Sequence, residues 1–313
     1  MMTSFAFVFP GQGSQAVGML DVWGDHPAVR STLEEASQAL GEDVARLIHE
    51  GPKSELDLTT NTQPVMLTAG IACWRAWLAE GGAQPQALAG HSLGEYTALV
   101  ASGALTLADA LPLVRLRAQA MQEAVPVGTG AMAAILGLDA QSVREGCAEA
   151  AAASGEVVEA VNFNDPKQTV IAGSKAGVEK GCEVLKAKGA KRALPLPVSA
   201  PFHSSLMKPA AERLREKLAS VALAVPAIPV VNNIDVASPV EPEAIRDALY
   251  RQAFGPVRWV EVVQALKGRG ITHVVECGPG KVLAGMVKRI DAELQGAALF
   301  DPASLAEVKG FLA

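Results

Sequence analysis

Residues 87–96 of this chain have the sequence Ala87-Leu88-Ala89-Gly90-His91-Ser92-Leu93-Gly94-Glu95-Tyr96. A short apolar run ends at Gly90, Ser92 lies between Gly90 and Gly94, and residues 95–101 predict a helix. This strand, turn and helix are typical of a nucleophile elbow, whose sharp turn leaves no room for Cβ atoms beside the serine. Free N–H groups at the start of the helix would stabilise the oxyanion of an acyl transfer. The alternative is an incidental serine in a glycine-rich loop, so the elbow also needs a base and a second oxyanion donor.

The composition excludes several classes of function. The chain has 313 residues, 50% hydrophobic and 19% charged, which is typical of a globular protein, and its net charge of −6 argues against nucleic-acid binding. Its four cysteines are scattered, so we predict neither a disulfide framework nor a metal site. The N-terminus lacks a basic signal-peptide region, and no apolar run is long enough to cross a bilayer. We therefore expect a cytoplasmic protein that does not bind membranes.

The loop after the first apolar run supplies a candidate oxyanion donor. Residues 5–9 predict a buried parallel strand, and the turn that follows contains Gly11, Gln12 and Gly13. These glycines loosely match a dinucleotide-binding fingerprint, which needs a second strand ending in an acidic residue about 20 positions later. Residues 28–47 have helical spacing instead, so we reject nucleotide binding. In an elbow enzyme a neighbouring loop donates the second N–H, and Gln12 is the natural donor.

A charged side chain is expected on the apolar face of a helix. We predict one helix over residues 65–78, with Pro64 in its first turn, and another from the Thr106 cap to about residue 123. On the second helix Arg117 shares a stripe with apolar residues, and no acidic residue lies on that stripe. A buried guanidinium needs an anionic partner. The partner is either a distant Asp or Glu or the carboxylate of a substrate, which a guanidinium binds with two parallel hydrogen bonds.

The middle of the chain predicts a separate small unit. Strands are expected at residues 131–138, 157–162, 168–172 and 192–198, with helices at 141–153 and 175–188. This βαββαβ order is typical of a ferredoxin-like unit. We predict a small subdomain over residues 128–199, inserted in a large domain formed by residues 1–127 and 200–313. Lysines near its second helix form a basic face, which either is simply solvated or binds an acidic partner.

His203 is the candidate base. It lies in a turn after Ser92 in the chain, the order that elbow hydrolases use, whereas His91 is adjacent to the serine and is expected to support the turn. A third group that orients the base is not identified. Asp235 and Glu276 follow predicted strands, here residues 228–232 and 271–276, and a main-chain carbonyl would serve equally well.

The chain resembles the malonyl-CoA:acyl carrier protein transacylases of bacterial fatty acid synthesis over nearly its whole length. The matching motifs are Phe9-Pro10-Gly11-Gln12-Gly13-Ser14-Gln15, Asn61-Thr62-Gln63-Pro64, Gly90-His91-Ser92-Leu93-Gly94-Glu95, Arg117-Ala118-Gln119-Ala120-Met121-Gln122, Ala160-Val161-Asn162-Phe163-Asn164, Pro201-Phe202-His203-Ser204 and Glu276-Cys277-Gly278-Pro279-Gly280. Two positions depart from the family pattern. Phe202 replaces a small residue of many bacterial members and resembles malonyl-selective polyketide acyltransferases, and Ala118 replaces a glycine.

The resemblance implies an α/β fold, with an α/β-hydrolase-like core around a parallel sheet and a ferredoxin-like insertion. It also implies a role for each matching residue. These are Ser92 as nucleophile, His203 as base, the N–H groups of Gln12 and Leu93 as the oxyanion hole, Arg117 as the malonyl carboxylate clamp, Gln63, Asn162 and Phe202 as further substrate-binding residues, and the carbonyl of Gln252 as the group that orients His203.

The reaction implied by the resemblance is transfer of a malonyl group from malonyl-CoA, through a malonyl-serine, to the phosphopantetheine thiol of acyl carrier protein. It implies no cofactor and no metal, and we expect a monomer. Four alternatives remain: an acyltransferase of a polyketide pathway, a serine thioesterase or esterase, a carrier-docking domain without activity, and a structural α/β protein, which would leave the serine, the histidine and the arginine unrelated.

Overall fold

A computed structural model describes residues 3–198 and 200–313. The strands are β1 (Phe5–Phe9), β2 (Ala87–Gly90), β3 (Gly130–Leu136), β4 (Val158–Asp165), β5 (Gln168–Ser174), β6 (Arg192–Pro195), β7 (Val230–Val231), β8 (His273–Cys277) and β9 (Gln295–Leu299). The helices are α1 (Pro27–Leu40), α2 (Val44–Glu50), α3 (Lys53–Leu56), α4 (Thr59–Ala79), α5 (Gly94–Ala101), α6 (Leu107–Glu123), α7 (Ala140–Ser154), α8 (Lys175–Ala187), α9 (Lys208–Leu218), α10 (Pro242–Phe254), α11 (Trp259–Gly268), α12 (Val282–Ile290) and α13 (Pro302–Leu312). Among these helices, none is both long enough and apolar enough to cross a membrane.

The larger sheet is parallel, with strand order β7-β2-β1-β8-β9. All five residues of the central strand β1 are buried, and Phe7 packs edge-on against Trp74 and Trp77 of α4. Phe9 of β1 pairs with Gly90 at the end of β2. The loops after β1 and β2 therefore leave the sheet side by side at its carboxyl edge, where α/β proteins bind ligands.

The smaller sheet is antiparallel, with strand order β4-β5-β3-β6. The βαββαβ prediction is confirmed, as is the α/β fold class with a parallel core sheet. Backbone hydrogen bonds between residues 161–163 and Val257 join this sheet to the rest of the chain. The boundaries at 127/128 and 199/200 stay a prediction, and Met1, Met2 and Ser199, which those ranges include, lie outside the described residues.

Several predicted elements have different limits. The single helix expected over residues 28–47 is two helices, because Gly41 ends α1 with a left-handed φ of 65° and Asp43 caps α2. Helix α4 begins at Thr59, so Pro64 lies inside it rather than in its first turn. Strands β6 and β7 are shorter than the predicted 192–198 and 228–232.

The C-terminal β9 and α13 were not predicted. Strand β9 consists largely of small residues and is only partly buried, so its sequence lacks the apolar pattern of a core strand. Helix α13 did carry a local signal, because Asp301 and Ser304 form a reciprocal capping box and Pro302 follows the cap.

Candidate active site

Ser92 lies at the apex of a strained turn between β2 and α5. Its φ is 53°, a left-handed value that is unusual for a residue with a side chain. A Cβ atom at Gly90 would lie 1.9 Å from the carbonyl of Gly94, and one at Gly94 would lie 2.1 Å from the main-chain oxygen of Phe9. Both glycines are therefore required by the close approach of the backbone, and the predicted elbow geometry is confirmed.

The structure brings His203 against Ser92 across 111 residues of sequence. The Ser92 Oγ lies 2.7 Å from His203 Nε2, and His203 Nδ1 lies 2.9 Å from the main-chain oxygen of Gln252. Because a carbonyl only accepts, Nδ1 carries the proton and donates it, which leaves the Nε2 lone pair to accept the Ser92 O–H. This is the arrangement of a nucleophile and its general base.

The electrostatics keep His203 neutral. Burial, and after it the positive charge of Arg117, lower the pKa of His203 to about 3, although the hydrogen bond to the Gln252 carbonyl acts in the opposite direction. His203 is only 4% exposed and also has a left-handed φ of 66°. The imidazole is therefore in its basic form at neutral pH.

The two carboxylates considered for orienting the base lie elsewhere. Asp235 forms a two-point ion pair with Arg251, with both N···O distances 2.7 Å. Glu276 is fully buried and accepts a hydrogen bond from the N–H of Ala284 in the first turn of α12. Of the groups considered, the structure places the Gln252 carbonyl on His203.

Arg117 is 2% exposed and faces the serine. Its Nη1 donates to Gln63 Oε1 at 2.7 Å, and its Nη2 donates to Ser92 Oγ at 3.1 Å and to Gln252 Oε1 at 3.2 Å. The guanidinium also lies over the Tyr96 ring, 5.3 Å from its centre. In the described part of the chain, no carboxylate forms an ion pair with Arg117, and its buried Nε has no hydrogen-bond partner. Burial lowers the pKa of Arg117, so the site holds a desolvated cation without a direct counter-ion.

A cavity of about 140 Å³ opens beside Ser92. One wall is formed by the predicted site residues Gln12, Gln63, Ser92, Leu93, Arg117, Asn162 and His203, together with His91. The rest of the lining, the apolar wall, is formed by Met121, Met132, Leu196, Val198 and the predicted Phe202. Gln252 is the one predicted site residue outside this lining, and it forms hydrogen bonds with Arg117, His203 and Ser92. The roles of the Gln12 and Leu93 N–H groups stay a prediction.

Comparison with known proteins identifies the family. The acyl transferase domain family matches residues 6–299. The malonyl CoA-acyl carrier protein transacylase of Escherichia coli strain K12 is 54% identical over 306 residues, 97% of this chain and 98% of that protein. The chain belongs to the malonyl CoA-acyl carrier protein transacylase family.

Solved structures agree with this assignment to the transacylase family. The crystal structure of acyl-carrier-protein S-malonyltransferase from Burkholderia pseudomallei 1710b is 69% identical, with a TM-score of 0.96, and the match covers 98% of this chain and 99% of that one. A solved complex of a type II PKS acyl-carrier protein with its malonyl-transacylase matches at 50% identity and a TM-score of 0.95, covering 97% and 98% of the two chains.

The sequence analysis did not identify Asn233, whose side chain holds the serine elbow of this transacylase in place. Asn233 Oδ1 accepts the N–H of Ser92 at 2.7 Å, and Asn233 Nδ2 donates to the carbonyl of Gly90 at 2.7 Å. Both bonds hold the strained turn on either side of its apex. A signal was present, because Asn233 directly follows a predicted parallel strand, where side chains reach the carboxyl edge of the sheet.

The sequence neighbour of the nucleophile has a separate role in this transacylase fold. His91 Nε2 lies 2.8 Å from Asn164 Oδ1 on β4, and the His91 ring packs against Trp259. Burial lowers the pKa of His91, so its ring is neutral. His91 therefore connects the elbow to the smaller sheet. Close by, the Oδ1 of Asn162 is buried without a partner at the cavity wall.

Proposed function

We propose that this chain transfers the malonyl group of malonyl-CoA to the phosphopantetheine thiol of acyl carrier protein, through a malonyl ester of Ser92. One observation carries the proposal: Arg117, a buried cation that pairs with no carboxylate among the described residues, lies 3.1 Å from the serine that His203 activates. Arg117 matches a free carboxylate at the far end of the acyl group, which malonyl has and ordinary fatty acyl groups lack. The family assignment and the solved carrier-protein complex support the same acyl group and acceptor.

The first half-reaction acylates the enzyme. His203 Nε2 takes the Ser92 proton as Oγ attacks the thioester carbonyl, and the N–H groups of Gln12 and Leu93 stabilise the oxyanion. When the intermediate collapses, the carbon–sulfur bond breaks and His203 returns the proton to the CoA sulfur. The products are malonyl-Ser92 and free CoA.

The second half-reaction reverses these roles. The carrier thiol gives its proton to His203, and the sulfur attacks the malonyl-Ser92 carbonyl. The carbon–oxygen bond then breaks, and His203 returns the proton to Ser92 Oγ, so the base is neutral at the start of each half-reaction. Both steps use only a nucleophile, a base and oxyanion donors, and we therefore propose a reaction without a cofactor.

The other cavity residues hold and select the substrate. Arg117 Nη1 donates a hydrogen bond to Oε1 of Gln63, and Nη2 donates one to Oε1 of Gln252, which lies outside the cavity lining. These two bonds direct the guanidinium towards the serine. Phe202 and its apolar neighbours limit the size of the acyl group, and the unpartnered Asn162 Oδ1 is available to a donor on the substrate.

The proposed setting is fatty acid synthesis in the cytoplasm. All four cysteines are free, which suits a reducing compartment. Supply of malonyl groups to a polyketide carrier is the second candidate, because a malonyl-transacylase of similar fold has been solved with a type II PKS carrier protein. Comparing transfer rates to a fatty acid carrier and a polyketide carrier separates the two.

Intact-mass measurement after mixing with malonyl-CoA tests the function. We expect one malonyl adduct per chain and a matching burst of free CoA, followed by turnover only when carrier protein bearing phosphopantetheine is added. The Ser92→Ala variant should form no adduct. Continuous CoA release without carrier would instead show a thioesterase, and absence of any adduct on the wild-type chain would show a docking domain.

A further inference from the structure

Glu95 is a buried carboxyl group that the proposed reaction does not use. It lies in the first turn of α5, is 2% exposed, and does not line the Ser92 cavity. Its Oε2 accepts two hydrogen bonds, from the main-chain N–H of Asn233 at 2.8 Å and from Gln252 Nε2 at 2.9 Å. Burial raises the pKa of Glu95 to about 7, and because Oε2 accepts both bonds, they are compatible with either protonation state.

The Gln252 side chain lies between this carboxyl and the substrate clamp. Its Nε2 donates to Glu95 and, at 3.1 Å, to the main-chain oxygen of Ser92, while its Oε1 accepts from Arg117 Nη2. The two ends of a primary amide have nearly the same shape, so the partners alone determine which end faces which way. A flipped amide would point an NH₂ group at the N–H groups of Arg117, and two donors would face each other.

We propose that Glu95 is a positioning residue for the malonyl clamp, because its carboxyl oxygen holds Gln252 in the orientation that presents Oε1 to Arg117. This inference rests on the proposed function and adds a determinant of its selectivity. Glu95 acts through Gln252 and touches neither the acyl group nor the reacting atoms. It therefore controls how strongly the charged malonyl group is preferred over an uncharged acyl group such as acetyl.

The elbow itself should depend less on Glu95. Asn233 holds Ser92 and Gly90 through two side-chain hydrogen bonds of 2.7 Å, which do not involve the carboxyl, although Glu95 Oε2 accepts the main-chain N–H of Asn233. A shift of Asn233 would affect malonyl and acetyl transfer alike, so it would not change the selectivity. The main-chain oxygen of Gln252 likewise holds His203 whichever way the Gln252 side chain points. Loss of the carboxyl should therefore affect the clamp before the nucleophile and the base.

The test compares Glu95→Met, which removes both acceptor atoms at similar shape, with Glu95→Gln, which keeps an acceptor oxygen. For Glu95→Met we expect KM for malonyl-CoA to rise about tenfold, with kcat and the kcat/KM for acetyl-CoA changed less than about threefold, as for loss of one buried hydrogen bond. Glu95→Gln should recover most of the malonyl selectivity. The matched control is Glu276→Met, which removes another buried carboxyl whose pKa is also raised by burial, and it should leave the selectivity unchanged.

A double-mutant cycle shows whether the effect passes through Gln252. Gln252→Met removes the amide and keeps the main-chain carbonyl, so adding Glu95→Met to it should cause no further loss of selectivity. If Glu95→Met folds poorly, Glu95→Leu, which also lacks an acceptor oxygen, replaces it in the cycle, and melting temperatures are measured for every variant.

Three results would overturn the inference: equal loss on malonyl and acetyl, a Gln variant as impaired as the Met variant, or a double variant whose loss is the product of the single losses. A wild-type chain that forms no malonyl adduct would instead refute the proposed function. A wild type that transfers malonyl, together with a Glu95→Met variant of unchanged selectivity, would refute the inference alone.

Discussion

The two walls of the Ser92 cavity are built differently. On the polar wall, Ser92, Arg117 and His203 are each held by hydrogen bonds from elements far apart in sequence. On the apolar wall, Met132 and Phe202 belong to a hydrophobic cluster of the smaller sheet and are positioned by packing alone. Hydrogen bonds in a buried site require specific partner atoms, whereas apolar packing tolerates changes of shape. Substitutions on the polar wall should therefore change malonyl transfer strongly, whereas substitutions on the apolar wall should change it little.

Removal of the base should have the largest effect. His203→Ala leaves Ser92 without a proton acceptor, and we expect the rate of malonyl-Ser92 formation to fall about a thousandfold or more. Rapid-quench mass spectrometry measures that rate, and the binding of malonyl-CoA should be nearly unchanged. A loss smaller than tenfold would mean that the polar wall does not depend on this hydrogen bond.

Removal of Arg117 should reduce malonyl transfer much more than acetyl transfer. Arg117→Ala deletes the cation proposed to pair with the malonyl carboxylate, and breaking such a buried pair costs about 3–5 kcal/mol. We expect the kcat/KM for malonyl-CoA to fall by about two to four orders of magnitude. Transfer of acetyl should fall less than about tenfold in the same assay. Equal losses for the two acyl groups would contradict the role of Arg117 as a carboxylate clamp.

The pH profile should show the low basicity of His203. Burial, followed by the charge of Arg117, lowers its pKa to about 3, so the imidazole stays unprotonated as the pH falls from 7 to 5. We expect kcat/KM for acetyl-CoA to be nearly flat over this range, whereas a histidine of ordinary pKa would cause a loss of roughly thirtyfold at pH 5. In Arg117→Ala the acidic limb should move to higher pH, because one cause of the lowered pKa is gone. A wild-type limb near pH 6.5 would show that the base is not desolvated.

A change in the apolar wall should have the smallest effect on malonyl transfer. Met132→Ala removes an apolar side chain that is 4% exposed and lines the cavity. We expect malonyl transfer to change less than about threefold and transfer of butyryl to rise, while the free energy of unfolding falls by about 2–5 kcal/mol. Chemical denaturation and parallel assays with the two acyl-CoA substrates measure these outcomes. A loss of malonyl transfer as large as that of Arg117→Ala would remove the distinction between the two walls.

Local patterns predicted much of this molecule. The elbow at Ser92 and the βαββαβ order of the smaller unit are short-range features, in which glycine spacing and apolar runs act on neighbouring residues. The end of a helix within a continuous helical pattern, and a strand built of small residues, were harder to predict. A continuous helix was expected over residues 28–47 although Gly41 ends it, and β9 was missed because small residues leave no apolar pattern.

Individual site residues could be identified from the sequence, but their hydrogen-bond partners could not. Ser92, Arg117 and His203 are unusual side chains in their local settings, and the sequence alone singles them out. The resemblance of the chain to its family adds Gln252. The sequence alone could not identify its carbonyl as the group that orients His203, because every residue carries a main-chain carbonyl. Asn233 and Glu95 escaped notice since their partners lie 138 or more positions away.

The amino-acid sequence by itself determined most of the strands, the sharp serine turn and the presence of a cation on an apolar helical face. Only the tertiary structure shows that Arg117 has no carboxylate partner among residues 3–198 and 200–313, that a carbonyl lies against His203, and that Glu95 accepts a hydrogen bond from the Gln252 amide. The reason is physical: local backbone geometry depends on neighbouring residues, whereas the charge and hydrogen-bond partners of a buried group depend on which distant elements pack against it.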